Sequence, residues 1–347
     1  MTQVVRVGLD IAKSVFQLHG TDANGLTVVR RKLRRGQLVD HFKTLPPCVI
    51  GIEACGSAHH WARTLGALGH EVRLIAPAFV KPFVKSQKND AADAEAICDA
   101  VGRPNMRFVA IKTVDQQGIL VVHRTRDLLT RQRTMLINAF RSHIAEFGEV
   151  ANVGARGVSA LMQIIETDRA GLIPVAARPA LELIADEIRH LSERVKVLEC
   201  QIEAWHRASP ASRRLATIPG IGTLTASALA ASIPDPSQFK SGKALGAWLG
   251  LVPRQRSSGG VTKLGRITKR GDRYLRRLLT LGARSVLVTF KCGRNKLPPR
   301  LAHLLDRKPF KVAIVALANK MARTVWALLH RGENYKPAAL QVGHGMA

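Results

Sequence analysis

The first hundred residues alternate short apolar runs with amphipathic stretches, and this alternation restricts the fold more than any other feature of the sequence. Three β-rich runs are separated by turn residues, among them the Asn24-Gly25 pair that favours tight hairpin turns. They predict a meander of three strands. The residues that follow predict helix, strand, helix, strand and helix in turn. The expected strands are residues 4–10, 14–19, 26–33, 48–52 and 71–75, and the expected helices are residues 37–45, 58–68 and 90–101.

This β-β-β-α-β-α-β-α order matches the RNase H-like fold, in which an antiparallel meander joins a parallel extension flanked by helices. We therefore expect an α/β domain of this kind over residues 1–112. The remaining sequence predicts a helical, coiled-coil segment over residues 113–207, a mostly helical C-terminal domain over residues 208–335 and a tail over residues 336–347.

The helical segment contains two long stretches. The first is expected from residue 114 to residue 147 and stops at Gly148. In the second, apolar residues recur at alternating steps of three and four, which is the period of a coiled-coil seam. Two interpretations stay open: an antiparallel hairpin of the two helices within one chain, and a seam between subunits. The seam residues are Leu181, Ile184, Ile188, Leu191, Val195, Leu198, Ile202 and Trp205.

The charge of the chain indicates its partner. Fifty-three Lys and Arg residues against 25 Asp and Glu give a net charge of +28, which is far more than solubility requires. Nucleic acid is the first candidate partner, because each phosphate neutralised by Lys or Arg releases condensed counterions, and an anionic membrane surface is the lesser one. No stretch approaches the roughly 18 consecutive apolar residues of a spanning helix, so we expect a soluble, cytoplasmic protein with no membrane partner.

The basic residues concentrate in the C-terminal domain. Residues 251–310 contain 16 Lys or Arg and two acids, whereas a solvated surface would usually mix both signs. This segment predicts a phosphate-binding surface. The residues expected to contact nucleic acid there are Arg254, Arg256, Lys263, Arg266, Lys269, Arg270, Arg273, Arg276 and Arg277.

A Pro219-Gly220-Ile221-Gly222 turn precedes an Ala-rich helix over residues 223–232. The pattern is that of a helix-hairpin-helix, in which Gly220 and Gly222 let backbone N–H groups approach a phosphate. An ordinary Gly-rich turn between two helices is the alternative.

Four acidic residues occupy chemically informative positions in this acid-poor chain. Asp10 and Glu53 each end a buried apolar strand, and Asp90 and Asp93 share one face at a helix start. Taken singly, each acid has a bland explanation as a turn residue or a helix cap. Together they predict a carboxylate site for Mg²⁺ or Mn²⁺ that acts on a phosphodiester. His59 and His60 follow Glu53, and we interpret them as surface or packing residues of a helix.

The chain resembles the DEDD transposases of the IS110 insertion-sequence family over nearly its whole length. The residues that carry the resemblance are Gly8-Leu9-Asp10-Ile11-Ala12-Lys13, Gly51-Ile52-Glu53-Ala54, Lys88-Asn89-Asp90-Ala91-Ala92-Asp93-Ala94 and Ile218-Pro219-Gly220-Ile221-Gly222. The resemblance implies a RuvC-like domain, a coiled coil, a C-terminal transposase domain, a homodimer or homotetramer, and guidance by a structured RNA that the element encodes.

The resemblance also implies an essential serine that precedes Gly after a Gly-Leu-x-Pro segment, here Gly250-Leu251-Val252-Pro253. Ser258 matches best and Ser257 is the alternative. Taken without the resemblance, Ser257-Ser258-Gly259-Gly260 predicts a flexible loop. Two other functions fit parts of the sequence: a junction-resolving endonuclease in which the acids activate water, and a nucleic-acid-binding protein without catalysis.

Overall fold

A computed structural model describes residues 3–84, 90–167, 171–291 and 299–336. The chain divides into two compact units. One comprises residues 1–117 and 231–247, and the other comprises residues 118–230 and 248–347.

The first unit contains a six-stranded mixed sheet with the strand order β3-β2-β1-β4-β5-β6. The first three strands form an antiparallel meander, β4 and β5 continue parallel to β1, and β6 closes the edge antiparallel to β5. The five predicted strands and the meander are confirmed, whereas β6 is too short for a periodic signal. The strands are β1 (Arg6–Ile11), β2 (Val15–Thr21), β3 (Thr27–Arg34), β4 (Val49–Glu53), β5 (Glu71–Ile75) and β6 (Phe108–Val109).

Helices cover both faces of this sheet. Leu9, Leu18 and Ile52 point to one face and form an apolar core with side chains of α1 and α2. The residues that alternate with them point to the other face, where α4 packs on β1, β2 and β4. The three predicted helices are confirmed, and the structure adds the short α3, which the sequence did not predict. Their bounds are α1 (Leu38–Lys43), α2 (Ala58–Gly66), α3 (Pro77–Val80) and α4 (Asp90–Val101).

Two long antiparallel helices dominate the first half of the second unit. Arg126 forms an ion pair with Glu199, and Arg133 Nη1 donates to Ser192 Oγ at 3.4 Å, so the helices run in opposite directions. Leu181, Leu191 and Val195 of the predicted seam are buried within this single chain. The structure therefore contains the intramolecular hairpin. Its helices are α5 (Val114–Ala145), α6 (Ala155–Thr167) and α7 (Arg178–Ala208).

The C-terminal part combines a β-hairpin with further helices. By length and composition α13 alone among the described helices resembles a membrane span. Its buried side chains pack within the second unit, where α13 contacts α8 and α11, as a core helix does. The elements are α8 (Pro210–Ala216), α9 (Thr223–Ser232), α10 (Gly242–Trp248), β7 (Pro253–Ser258), β8 (Val261–Ile267), α11 (Arg273–Lys291), α12 (Pro299–Arg307) and α13 (Phe310–Arg331).

The serine segment is not the flexible loop that its composition predicts. β7 and β8 pair antiparallel up to Ser258 and Val261, and the Gly259-Gly260 pair forms the connection. Both glycines have positive φ angles, 55° and 76°, as a two-residue hairpin turn with a primed geometry requires. The prediction was wrong because the described side chains of these strands are almost all exposed and the apolar residues of β8 do not alternate with polar ones, so no strand periodicity marks the segment.

Candidate active site and nucleic-acid interface

Asp10 and Glu53 lie side by side at the ends of neighbouring parallel strands. Gly8 pairs with Gly51 and Leu9 with Ile52, so the two acids are next in register. Side chains two residues apart on a strand share a face. Both carboxylates therefore point to the face that α4 covers.

Two glycines bring α4 down onto this face. A Cβ built on Gly8 would lie 2.1 Å from Ala94 O, and one built on Gly51 would lie 2.8 Å from Val101 Cβ. The helix can pack this closely only because both positions lack a side chain. The sequence signal is a Gly-x-acid tripeptide at each strand end, in which the glycine admits the helix and the acid faces its first turn.

The first turn of α4 supplies the other two carboxylates. Asp90 and Asp93 are three residues apart on the helix, and each offers an oxygen that lies with an Asp10 oxygen in a group spanning no more than 4.8 Å. Asp10 and Asp93 are half-buried, whereas Asp90 is exposed. The structure thus gathers Asp10, Asp90 and Asp93, with Glu53 adjoining on β4.

Crowding of like charges perturbs this cluster. Burial, followed by the charges of Asp93, Asp90 and Glu53, raises the pKa of Asp10 to about 6. Burial and Asp93 also raise the pKa of Glu53. The neighbouring carboxylates therefore disfavour ionisation of Asp10, Asp93 does the same to Glu53, and a bound cation would reverse this effect.

The donor set fits a hard divalent cation. Mg²⁺ binds oxygen at 2.0–2.1 Å, so two oxygens on opposite sides of one ion lie about 4.2 Å apart. The three aspartates each offer an oxygen within 4.8 Å of the others, which is close to that spacing. By contrast, His59 belongs to α2 on the opposite face, and its Nδ1 accepts a hydrogen bond from the Lys112 backbone N at 3.2 Å.

The basic residues of the second unit fall into two groups. Arg254, Arg256, Lys263 and Arg266 are exposed along the β7–β8 hairpin, and Lys269, Arg270 and Arg273 are exposed between the hairpin and the start of α11. Arg256 lies directly opposite Lys263 across the hairpin. Like charges opposite each other destabilise a strand pair unless an anion lies between them. These two residues also line an open cleft of about 430 Å³.

Arg276 and Arg277 have partners within the chain. Arg276 Nη1 donates to the Leu249 carbonyl at 3.0 Å and to the Arg270 carbonyl at 2.9 Å. Arg277 forms an ion pair with Asp127. These guanidinium groups already have partners within the second unit, so a count of basic residues in the sequence overstates how many are free to bind phosphate. The contact of Arg276 and Arg277 with nucleic acid stays a prediction.

The Gly220 and Gly222 turn joins α8 to α9, as a hairpin between helices requires. Gly220 has a φ of 83°, and a Cβ there would lie 2.8 Å from Gly282 O on α11. Its missing side chain is therefore needed for helix packing. Gly222 is exposed with open space around it, which leaves its backbone accessible for the predicted phosphate contact.

The two candidate serines lie at the end of β7. Ser257 Oγ accepts a hydrogen bond from Gln255 Nε2 at 2.9 Å and lines the same cleft as Arg256 and Lys263. The backbone of Ser258 pairs with Val261, whereas its side chain lies outside the described part of the chain.

A carboxylate cluster at adjoining strand ends, in a chain of net charge +28, is an arrangement suited to an enzyme that acts on the phosphodiesters of nucleic acid. Two family models match the chain. One for DEDD transposases of the IS110 type, described as "Transposase", matches residues 7–148. The other, described as "Transposase IS116/IS110/IS902 family", matches residues 212–297. The chain belongs to the IS110 family of insertion-sequence transposases.

Curated relatives align with nearly the whole chain. It is 50% identical over 338 residues to a "Probable family 20 transposase" of Pseudomonas aeruginosa, covering 96% of this chain and 98% of the relative. It is 41% identical to the transposase for insertion sequence element IS1111A of Coxiella burnetii, covering 98% and 93% of the two chains. A pilin gene-inverting protein of Moraxella bovis is 34% identical, with 95% and 97% covered. The activity of this chain is therefore DNA transposition and recombination.

Proposed function

We propose that this transposase cuts and rejoins DNA at an insertion sequence with a Mg²⁺ or Mn²⁺ site formed by Asp10, Glu53, Asp90 and Asp93. The clustering of three aspartate oxygens within 4.8 Å, on a sheet whose order suits an RNase H-like, RuvC-like domain, carries the proposal. A divalent cation there would activate an attacking oxygen and neutralise charge at the phosphodiester. The chain itself supplies the fixed positions, because strand register and close packing of α4 hold the carboxylates together.

We further propose that Ser258, or Ser257 in its place, is the nucleophile. Its hydroxyl oxygen forms a new bond to phosphorus and loses its proton, while the bond to the DNA 3′ oxygen breaks and that oxygen gains a proton. The resulting phosphoserine ester conserves the bond energy for rejoining. This step requires the serine hairpin to reach the carboxylates of the same chain or of another subunit. The exposed Arg254 and Arg256 would stabilise the charge on phosphate.

The proposed partners are double-stranded DNA and a structured guide RNA encoded by the element, bound in the bacterial cytoplasm at the nucleoid. The exposed basic hairpin and the open Gly222 backbone of a helix-hairpin-helix-like turn support phosphate contact by the second unit. The family resemblance alone supports the RNA.

We propose a dimer or tetramer, and α5 offers a surface that supports it. Val121, Leu128 and Met135 recur every seven residues on this helix and are 57%, 47% and 69% exposed. A heptad stripe of this kind matches a second helix. Leu128→Glu should lower the mass measured by light scattering, while Thr134→Glu, an exposed change on the same helix, should not.

A covalent-adduct assay tests the chemistry. Full-length protein is incubated with labelled element-end DNA, the element's RNA and Mg²⁺, and denatured adducts are separated by electrophoresis. Asp10→Asn should abolish cleavage, and Ser258→Ala or Ser257→Ala should abolish the adduct. Glu193→Gln and Ser159→Ala, at exposed positions of α7 and α6, are the matched controls.

Other outcomes would identify the rival functions. Adduct formation by both serine variants separately and by the double variant would refute the serine assignment. Mg²⁺-dependent cleavage without any adduct would indicate the junction-resolving type of hydrolysis by water. DNA binding with no cleavage under any condition would favour the non-catalytic alternative.

A further inference from the structure

An open groove lies next to the acidic cluster, between strands β2 and β3 and the first two turns of α4. It has a volume of about 380 Å³. We call it the sheet groove and define it by its lining residues, which are Gln17, Leu18, His19, Arg30, Arg31, Lys32, Ala91, Ala92 and Glu95.

Strand register connects the sheet groove to the site. Asp10 pairs with Gln17 and Gln17 pairs with Lys32, so the three residues form one row across three strands. Residues directly opposite in antiparallel pairs point to the same face, which here is the face of α4. With strands about 4.8 Å apart, the Cα atoms of Asp10 and Lys32 are separated by about 10 Å.

Charge changes sign along this row. It begins at the carboxylates, continues through the uncharged amide of Gln17 and ends at the ammonium group of Lys32. The adjacent row ends at Arg30, which pairs with His19 and forms an ion pair with Glu95 at 3.6 Å. Arg30 remains 66% exposed in this pair, so its guanidinium group has further donors for an anion.

The opposite wall of the groove is small and uncharged near the site. Ala91 and Ala92 of α4 lie between Asp90 and Asp93 and line the groove. Short side chains there leave space for a sugar-phosphate backbone to pass from the acidic cluster toward β3. A polyanion needs this combination of room and positive charge.

We propose that the sheet groove binds the DNA strand that is cut, with Lys32 and Arg30 contacting a phosphate next to the reacting one. The side-chain amide of Gln17 donates a hydrogen bond to a phosphate oxygen between them. This inference rests on the proposed function, because it takes the acidic cluster as the place where the strand is cut. It adds a binding site on the first unit to the basic surface of the second.

The chain contains a matched control on the same strand. Arg31 pairs with Leu18, whose side chain belongs to the core on the other face of the sheet. Burial and the charge of Arg31 lower the pKa of His41 on α1, which places Arg31 on the α1 side. Arg31 is among the residues that line the groove, but the strand register directs its side chain to the α1 face. Arg31→Gln therefore removes one positive charge from β3, as Arg30→Gln or Lys32→Gln does alone, without changing a side chain that faces α4.

Photo-crosslinking of the full-length protein to element-end DNA tests the proposal. The DNA carries thiothymidine near the cut site, the buffer contains a chelator, and crosslinked peptides are identified by mass spectrometry. We expect a crosslinked peptide from residues 15–34. The double change Arg30→Gln and Lys32→Gln should lower its yield by about tenfold or more, as a loss of about 1.4 kcal/mol would give. Each of these changes alone should lower the yield by about threefold or more, while Arg31→Gln, which removes the same single charge, leaves it within about twofold.

Three results would overturn the proposal. One is crosslinking confined to other regions of the chain, and another is complete absence of crosslinks although the DNA binds. The third is a loss with Arg31→Gln equal to that with Arg30→Gln or Lys32→Gln alone, which would mean that only net charge matters. Because the assay contains no divalent cation and requires no cleavage, its result is independent of the metal and serine chemistry proposed above.

Discussion

Replacing Gly8 with alanine should separate α4 from the sheet and damage the acidic site without touching any carboxylate. The added Cβ would lie 2.1 Å from Ala94 O and 2.4 Å from Cys98 N, both backbone atoms of α4. Ordinary contact begins at 3.4 Å. The helix must therefore move away from β1 by about 1.3 Å at this point, since backbone atoms cannot rotate aside as a side chain can.

The displacement has two consequences of predictable size. Overpacking of this kind costs about 1–3 kcal/mol of unfolding free energy. Asp93 lies one residue before Ala94 and moves with it, and a misplacement of about 1 Å in a catalytic group reduces the rate about a hundredfold. We therefore expect Gly8→Ala to remain folded but to lose most of its DNA cleavage and Mn²⁺ affinity.

Two further glycines calibrate the measurement. Gly51→Ala meets a side-chain carbon of Val101 at 2.8 Å, so it should have a smaller effect. Gly118 has open space around its Cβ position in α5, and alanine there should stabilise the helix by up to about 1 kcal/mol. Denaturant unfolding, Mn²⁺ titration and single-turnover cleavage should all rank the variants in this order. Wild-type cation affinity and cleavage in Gly8→Ala would refute the packing argument.

Three other predictions concern charge and core packing. The pKa of Asp10 is about 6 in the folded chain and 3.8 when unperturbed, so ionisation of Asp10 destabilises the fold fully above pH 6 and not at all below about pH 4. After halving for solvent screening, we expect metal-free Asp10→Asn to be about 1–2 kcal/mol more stable than the wild type at pH 7.5 in chemical unfolding, and no more stable at pH 4. Burial, together with the charge of Arg126, lowers the pKa of His123 to about 4. The free energy of unfolding should therefore fall by up to about 3 kcal/mol as the pH falls from 6.5 to 4. His123→Asn should remove this pH dependence, and its persistence in the variant would assign it to another group. Ile188→Ala in the α7 seam should cost about 2–5 kcal/mol in thermal unfolding and exposed Leu183→Ala less than about 0.5 kcal/mol; equal costs would contradict the intramolecular seam.

The sequence predicted the parts of the fold that periodic apolar residues encode. The strand ends at Asp10 and Glu53 could be predicted because an uninterrupted apolar run stops at each acid, and parallel strands bring such ends together. The apolar seam of α7 could be predicted for the same reason. The helix that packs against it could not, because heptad spacing describes one helix only. The close packing of α4 on the sheet could not be predicted, because it depends on a tertiary contact between this helix and the glycines Gly8 and Gly51.

Other features depended on contacts that no local pattern records. The β7–β8 hairpin is exposed on both sides and so lacks alternation. Arg276 and Arg277 look like neighbouring surface cations in the sequence, yet Arg276 binds two backbone carbonyls and Arg277 pairs with Asp127, 150 residues away. Sequence spacing identifies charge, but only the fold determines which charges are already used.

The Gly-x-acid geometry at the two strand ends accounts both for the repulsion among the carboxylates and for the chemistry of the acidic site. Gly8 and Gly51 let α4 approach the sheet, and the approach places Asp93 close to Asp10 and Glu53. Burial, together with the charge of Asp93, raises the pKa of both acids. The packing of α4 offsets this repulsion, since the apolar contacts of the helix lie away from its first turn, at Ile97 and Val101. Binding of a cation would then be favoured because it relieves the repulsion among the carboxylates. Close packing by glycine, rather than the carboxylates alone, is thus what makes the end of this sheet suitable for binding a divalent ion.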